Sequence, residues 1–347
     1  MSTRYNNVCL HSFGYALPPH SISSEALEDR LEPVYRRLKL PRGRLEMMSG
    51  IKERRFWDKG TRPSSAAVRA GEDALERSKV APQDIQCLIF TSVSRDMMEP
   101  ATASFVHHAL GLPEECLVFD ISNACLGFLD GIIMLANMIE LGQVDNGLLV
   151  SGETAEELLE STVEMLNTNS SITRKSIKPI FASLTIGSGS VALYMTRNDT
   201  CSEPKPTLKY GAWRANTTHS NLCQGSAEGH DTTLMYTNSE ELLIQGVETA
   251  KLTWQQFTRI SGWPTEEVDR FFCHQVGSAH AKLLFEKLGL DPRKNYETLP
   301  FLGNVGSVSA PITLAMAIDN ELFTPGMKGA MLGIGSGINC LMLGIEW

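Results

Sequence analysis

Three polar residues stand at the ends of regular runs in the sequence. Cys125 lies in Phe119-Asp-Ile-Ser-Asn-Ala-Cys-Leu-Gly-Phe128, His274 in Phe271-Phe-Cys-His-Gln275, and Asn304 in Gly303-Asn-Val-Gly-Ser-Val-Ser-Ala-Pro311. The apolar run before Cys125 reads as a strand and the run after it as a helix. The sulfur is therefore expected on a strand-to-helix turn, where the helix dipole favours a thiolate. A cysteine so placed is either a nucleophile or a small residue packed into a tight turn. His274 ends an apolar strand, and Asn304 opens another helix between two glycines. A rigid scaffold can aim such side chains into a cleft. Alone, a histidine at a strand end reads as structural and Gly-Asn-x-Gly as a turn. The three together are far more specific.

Taken together, Asn-Ala-Cys125-Leu-Gly-Phe, Cys-His274-Gln and Gly-Asn304-Val-Gly-Ser resemble the Cys-His-Asn triad of the thiolase-fold condensing enzymes, in the β-ketoacyl-acyl-carrier-protein synthase III branch. Ser49-Gly-Ile-Lys-Glu-Arg-Arg55, Val150-Ser-Gly-Glu153 and Gly333-Ile-Gly-Ser-Gly337 resemble further elements of that branch, in family order. Glu99, in Ser94-Arg-Asp-Met-Met-Glu-Pro-Ala101, resembles the glutamate of the OleA-type thiolases of bacterial olefin biosynthesis. Synthase III enzymes typically carry an apolar residue there, on a loop that crosses the dimer.

The resemblance implies a thiol nucleophile at Cys125, enolate donors at His274 and Asn304, and a base at Glu99. The backbone N–H groups of Cys125, Ser336 and Gly337 are candidate oxyanion donors. The implied reaction joins two long-chain acyl-CoA molecules without decarboxylation, in a homodimer. Loss of carbon dioxide makes a carbanion without a base, whereas removal of an α proton needs one. An apolar setting for Glu99, expected from Met97, Met98 and Ala101, would raise its basicity. The alternatives are a decarboxylative synthase III using malonyl-carrier protein and a silent thiolase-fold subunit that binds acyl chains. No cofactor is expected beyond the CoA thioesters themselves. Downstream olefin-pathway enzymes are possible partners.

Some positions depart from synthase III. Met48 and Ala279 stand at positions of that branch's tryptophan and arginine clamp on CoA, Gly277 replaces its asparagine three residues after the catalytic histidine, and Leu184-Thr-Ile-Gly-Ser-Gly189 replaces Phe-Gly-Asp-Gly. Arg42, Arg44, Lys52, Arg54 and Arg55 are the candidates for CoA phosphate contacts, or else a solvated face. His280 reads as structural, and Met134 with Met138 as core.

Around these residues the chain alternates. Strands are expected over Val8–Tyr15, Cys87–Val93, Cys116–Ser122 and Gly147–Ser151, with helices over Pro63–Ser78, Ala101–Leu110 and Leu126–Leu141. After a proline-bearing linker, the rhythm returns: strand Thr207–Trp213, helix Ser239–Ser261, strand Val268–Cys273 and helix Ser278–Leu288. Helix Val308–Leu322 and strands Met327–Leu332 and Asn339–Ile345 close the chain. This is an α/β pattern. Two thiolase halves, residues 1–200 and 201–347, are expected in the family's five-layer α-β-α-β-α arrangement. The stretch 155–178 reads as a helical insertion over the cleft or as a solvated surface helix.

Composition fits a soluble cytoplasmic enzyme. The chain has 347 residues, 42% of them hydrophobic, enough for a large core. A net charge of −9 offers no global field for nucleic acid. Eight cysteines without a Cys-x-x-Cys pair indicate neither zinc nor a disulfide framework. No metal is expected. The polar start, Met1 to Asn7, lacks the apolar core of a signal peptide, and no apolar run approaches a membrane span.

Overall fold

The structure, a computed structural model, describes residues 1–201, 203–225 and 235–347. Nine strands form the path of its main sheet: β1 (Val8–Ala16), β2 (Cys87–Phe90), β3 (Leu117–Asp120), β4 (Asn146–Glu153), β5 (Gly189–Arg197), β6 (Thr207–Ala215), β7 (Arg270–Cys273), β8 (Lys328–Gly335) and β9 (Asn339–Glu346). Their spatial order is β7-β8-β9-β6-β1-β5-β4-β2-β3, with Ser2–Arg4 paired beside β6. The path is two half-sheets joined at one point, where Cys9 of β1 faces Thr207 of β6. On one side, β1-β5-β4-β2 repeats the order of β6-β9-β8-β7 on the other. In both, the strand farthest from the joint in that series pairs in parallel with its neighbour, and the other pairs are antiparallel.

Most of the strands are buried on both faces, so alternate residues feed different cores. In β8, Met331 joins a central core while Ala330 and Leu332 join an outer one. The central core contains helices α3 (Gly127–Glu140) and α7 (Ser309–Asp319), with Phe128, Ile132, Ile312 and Leu314 fully buried. One outer layer is α1 (Pro63–Ser78) with α2 (Thr102–Leu110), and the other is α5 (Ser239–Ser261) with α6 (Ser278–Leu288). The result is the five-layer α-β-α-β-α thiolase fold.

A fourth core lies over the end of the sheets. Helix α4 (Glu156–Thr168) packs Leu159, Val163 and Leu166 with Leu27, Leu31 and Val34 from two short N-terminal helices, Ser24–Arg30 and Glu32–Leu38. The insertion is therefore a packed cap rather than a solvated helix.

Backbone approach sets the tightest spacing. Gly14 of β1 lies under α1, and a Cβ there would stand 2.2 Å from Ala74 N and 2.4 Å from Ala70 O. Backbone atoms on an α-helix cannot step aside separately. Gly14→Ala is expected to lower the unfolding free energy by about 1–3 kcal/mol, read as a lower urea midpoint at unchanged slope. An unaltered midpoint would contradict this packing.

Candidate active site

Cys125, His274 and Asn304 line one cavity of about 640 Å³. Each arrives on a different element. Strand β3 ends at Asp120, and Ala124 turns the chain at φ 47° before α3 begins at Gly127. A non-glycine residue in that region is strained and holds only where its surroundings require it. The turn is closed by Leu126 N–H donating to Asn123 O (3.0 Å) and Gly127 N–H to Ala124 O (3.3 Å). His274 extends β7, its N–H donating to Leu332 O of β8 (2.9 Å). Asn304 is held by backbone on both sides: its N–H donates to Thr185 O (2.9 Å), and Gly187 N–H donates to its carbonyl (2.8 Å). The Leu184–Gly189 segment that departs from synthase III is thus the cradle of Asn304.

A polar chain ties the β8–β9 hairpin to the cysteine turn. Asn339 Nδ2–H donates to Asn123 Oδ1 (3.0 Å), and Asn123 Nδ2–H donates to Asp130 Oδ2 (2.7 Å). Asn339 Nδ2 also lies 3.4 Å from Ser336 O. Ser336 lines the cavity together with Gly335, whereas Gly337 does not. Neither Asn123 nor Asn339 stands out in the sequence, since the bond between them spans 216 residues.

The electrostatics differ from the sequence expectation. Burial, then the nearby Cys223 and Glu153, push the Cys125 thiol up to about 12. Cys125 keeps some accessible surface, but that surface faces the cavity, where a thiolate is poorly solvated. The helix N-terminus does not outweigh this. Burial, then His280, lowers His274 to about 4. At neutral pH the site therefore holds a neutral thiol and a neutral imidazole. His280 and Cys223 line the same cavity. His280, which reads as structural in the sequence, is thus a cavity residue, brought there by the first turn of the helix that follows His274.

Glu99 lies elsewhere in the chain. It is exposed, joined to Pro100 by a cis peptide, and does not line the cavity. The segment that carries it starts at Val93 and Ser94, which do. The apolar setting expected around Glu99 is not supplied by one chain: Val93, Met97 and Met98 are 53%, 38% and 79% exposed.

The basic candidates divide, and none of the five lines the cavity. Arg54 is corrected outright. It is fully buried, donates from Nη2 to Ser24 Oγ (3.1 Å), and burial lowers it to about 10. It sits in the short strand Glu53–Phe56, whose alternation turns it inward. Arg42 pairs with Asp29, and Arg55 donates to Pro18 O (3.1 Å). Arg44 and Lys52 keep accessible surface. The cavity walls are mainly apolar, with Leu158, Phe181, Leu242, Leu243 and Phe285 among them. Such walls suit a hydrocarbon chain. Among the described residues no cluster of three His, Cys, Asp or Glu could hold a metal, and no helix is long and apolar enough to cross a membrane.

Fold and site together describe a condensing enzyme, and comparison with known proteins agrees. Residues 53–185 match the thiolase N-terminal domain, and residues 259–347 match the C-terminal domain of 3-oxoacyl-[acyl-carrier-protein] synthase III. The acyl-CoA:acyl-CoA alkyltransferase of Shewanella oneidensis is 39% identical over 99% of this chain and 100% of its own. That of Xanthomonas campestris is 36% identical over 99% of both. The chain belongs to this thiolase-fold family of acyl-CoA:acyl-CoA alkyltransferases. A cysteine-to-serine variant of Xanthomonas campestris OleA, solved with bound lauric acid and lauroyl-CoA, superposes with a TM-score of 0.94 at 35% identity, covering 99% of this chain and 100% of that one. The β-ketoacyl-[acyl-carrier-protein] synthase III of Natranaerobius thermophilus is 27% identical over 99% of this chain and 100% of its own.

A thiol held near 12 has a thiolate fraction that rises about tenfold per pH unit throughout the neutral range. Iodoacetamide alkylation of Cys125, followed by peptide mass mapping, is expected to climb from pH 6 to pH 9 without levelling. A plateau near neutrality would contradict the buried, neutral thiol.

Proposed function

We propose that this protein joins two long-chain fatty acyl-CoA molecules by a non-decarboxylative Claisen condensation through an acyl-Cys125 intermediate. The observation that carries the reading is the single, largely apolar cavity in which Cys125, His274 and Asn304 meet. The names of the relatives and the lauroyl-CoA bound to the Xanthomonas OleA variant support the substrate class.

In the first half-reaction the Cys125 sulfur attacks the thioester carbonyl. A C–S bond forms, the bond to the CoA sulfur breaks, and CoA leaves as a thiol after taking up the proton that Cys125 gives up. The neutral His274 imidazole is suited to carry that proton. Backbone N–H groups of Cys125 and Ser336 receive the oxyanion. Gly337, outside the cavity lining, is a weaker candidate.

In the second half-reaction a base removes an α proton from a second acyl-CoA. His274 and Asn304 donate to the enolate oxygen. The α carbon attacks the acyl-Cys carbonyl, and the Cys125 sulfur leaves. Hydrolysis of the remaining thioester gives a 2-alkyl-3-keto acid and the second CoA. The base is Glu99 of the partner in a homodimer. Its exposed segment, with Val93, Met97 and Met98, provides the apolar surface such a partner would cover. The apolar setting expected for Glu99 would then come from assembly.

No cofactor beyond CoA thioesters takes part in this scheme. Exposed Lys52 and half-buried Arg44 are the remaining candidates for CoA phosphates. The reaction belongs in the cytoplasm, at the head of bacterial olefin biosynthesis, with enzymes that reduce and decarboxylate the keto acid downstream.

Purified protein given a long-chain acyl-CoA and no malonyl donor is expected to release CoA and form the coupled product. Product only with malonyl-carrier protein would favour the decarboxylative reaction, and no product would favour a silent acyl-binding subunit. Cys125→Ala is expected to stay unacylated by intact-mass spectrometry, and stoichiometric acylation would refute its role. His274→Ala and Asn304→Ala are expected to slow condensation by roughly a hundredfold, read by rapid quench. Unchanged rates in both would overturn the enolate assignment.

A further inference from the structure

Strand β4 ends at Glu153, which is 5% exposed. A carboxylate buried this far is costly unless donors meet its oxygens. Five donors do, and they come from two loops. Val93 N–H donates to Oε1 (2.9 Å), while Ser94 donates to Oε2 from both N–H (3.0 Å) and Oγ–H (2.9 Å). Ser307 donates to Oε1 from both N–H (3.1 Å) and Oγ–H (2.7 Å). The first loop leads from β2 to Glu99. The second carries Asn304.

The second loop closes on the carboxylate through a glycine. Gly306 has φ 56°, and a Cβ there would stand 2.8 Å from Glu153 Oε1. Gly306 N–H donates to Asn304 Oδ1 (3.1 Å). That bond settles which way the Asn304 amide points. Its carbonyl oxygen is engaged, and its NH₂ group is left as the donor for the cavity. Behind the loop, Ser307 Oγ lies 2.7 Å from Ser151 Oγ, which lies 3.0 Å from Ser92 Oγ. These hydroxyls are buried, so each bond depends on the others.

The geometry points to Glu153 as a positioning residue: through Ser307 and Gly306 it holds the Asn304 amide at the enolate position. This rests on the reading of Asn304 as an enolate donor. Its charge raises the Cys125 thiol, but its hold on condensation acts through the loop. Its role therefore belongs to condensation and not to the attack of Cys125 on the first thioester.

Glu153→Gln keeps the shape but turns an amide NH₂ toward groups that are themselves donors. The variant, which also relieves the charge that raises the Cys125 thiol, is expected to acylate Cys125 no more slowly than the wild type while condensing on the order of tenfold to a hundredfold more slowly. A purely structural carboxylate would slow both steps together. Glu153→Gln combined with Asn304→Ala should condense no more slowly than Asn304→Ala alone, because both changes remove one function. Unchanged condensation in Glu153→Gln, equal loss of both steps, or multiplying effects in the double variant would overturn the proposal. If Glu153→Gln does not fold, Ser307→Ala removes one donor and keeps the backbone. It is expected to show the same split, and wild-type condensation in it would equally overturn the assignment. Wild-type condensation in Asn304→Ala itself would instead show that the enolate reading has failed.

Discussion

Burying two helices between two sheets is the constraint on which the rest of the structure depends. Helix α7 reads Ser-Ala-Pro-Ile-Thr-Leu-Ala-Met-Ala-Ile-Asp and is buried almost all round. Helix α3 is nearly as apolar, with Phe128, Leu129, Ile132, Leu135 and Ala136 fully buried. A helix without a polar face cannot lie on a surface. These two must therefore be covered from both sides, which requires a sheet on each. Their N-termini then fall inside the molecule, and the turns that enter them carry Cys125 and Asn304. The layer order brings the reactive residues together, while the loops adjust their aim.

The same burial sets the electrostatics. A helix N-terminus favours an anion, but the surrounding protein withholds the water that a thiolate needs. Cys125 is consequently pushed up and His274 down, so both are neutral at rest. Such a pair suits an enzyme whose nucleophile waits for a thioester. Beside them, the carboxyl side chain of Glu153 is buried as well and is met by five donors.

Much of this was legible in the sequence because Cys125 and His274 each follow a short apolar strand and precede a strongly patterned helix. Helices Pro63–Ser78, Ser239–Ser261 and Ser278–Leu288 have the bounds read from periodicity. Strand β5 was missed, since Gly189–Arg197 is buried on both faces and shows no alternation. The three short N-terminal helices, among them Arg44–Ser49, were missed because six or seven residues carry little periodic signal. Arg54 looked like part of a surface cluster until the pleat of a short strand turned it inward. The link between Asn339 and Asn123, and the clamp on Glu153, join segments far apart in the chain, and local pattern does not reveal them. Glu99 was legible as a residue type, but its proposed setting depends on a second subunit.

The sharpest test lies at that second subunit. A mixed dimer of Glu99→Ala with Cys125→Ala has one chain that keeps Cys125 and another that keeps Glu99. If Glu99 serves the partner's Cys125, this dimer recovers one working site, while each mutant homodimer fails to join two acyl chains. The account predicts that recovery, measured as coupled product from acyl-CoA alone. An inactive mixed dimer, verified as assembled, would contradict the shared site, and a fully active Glu99→Ala homodimer would remove the base from the mechanism.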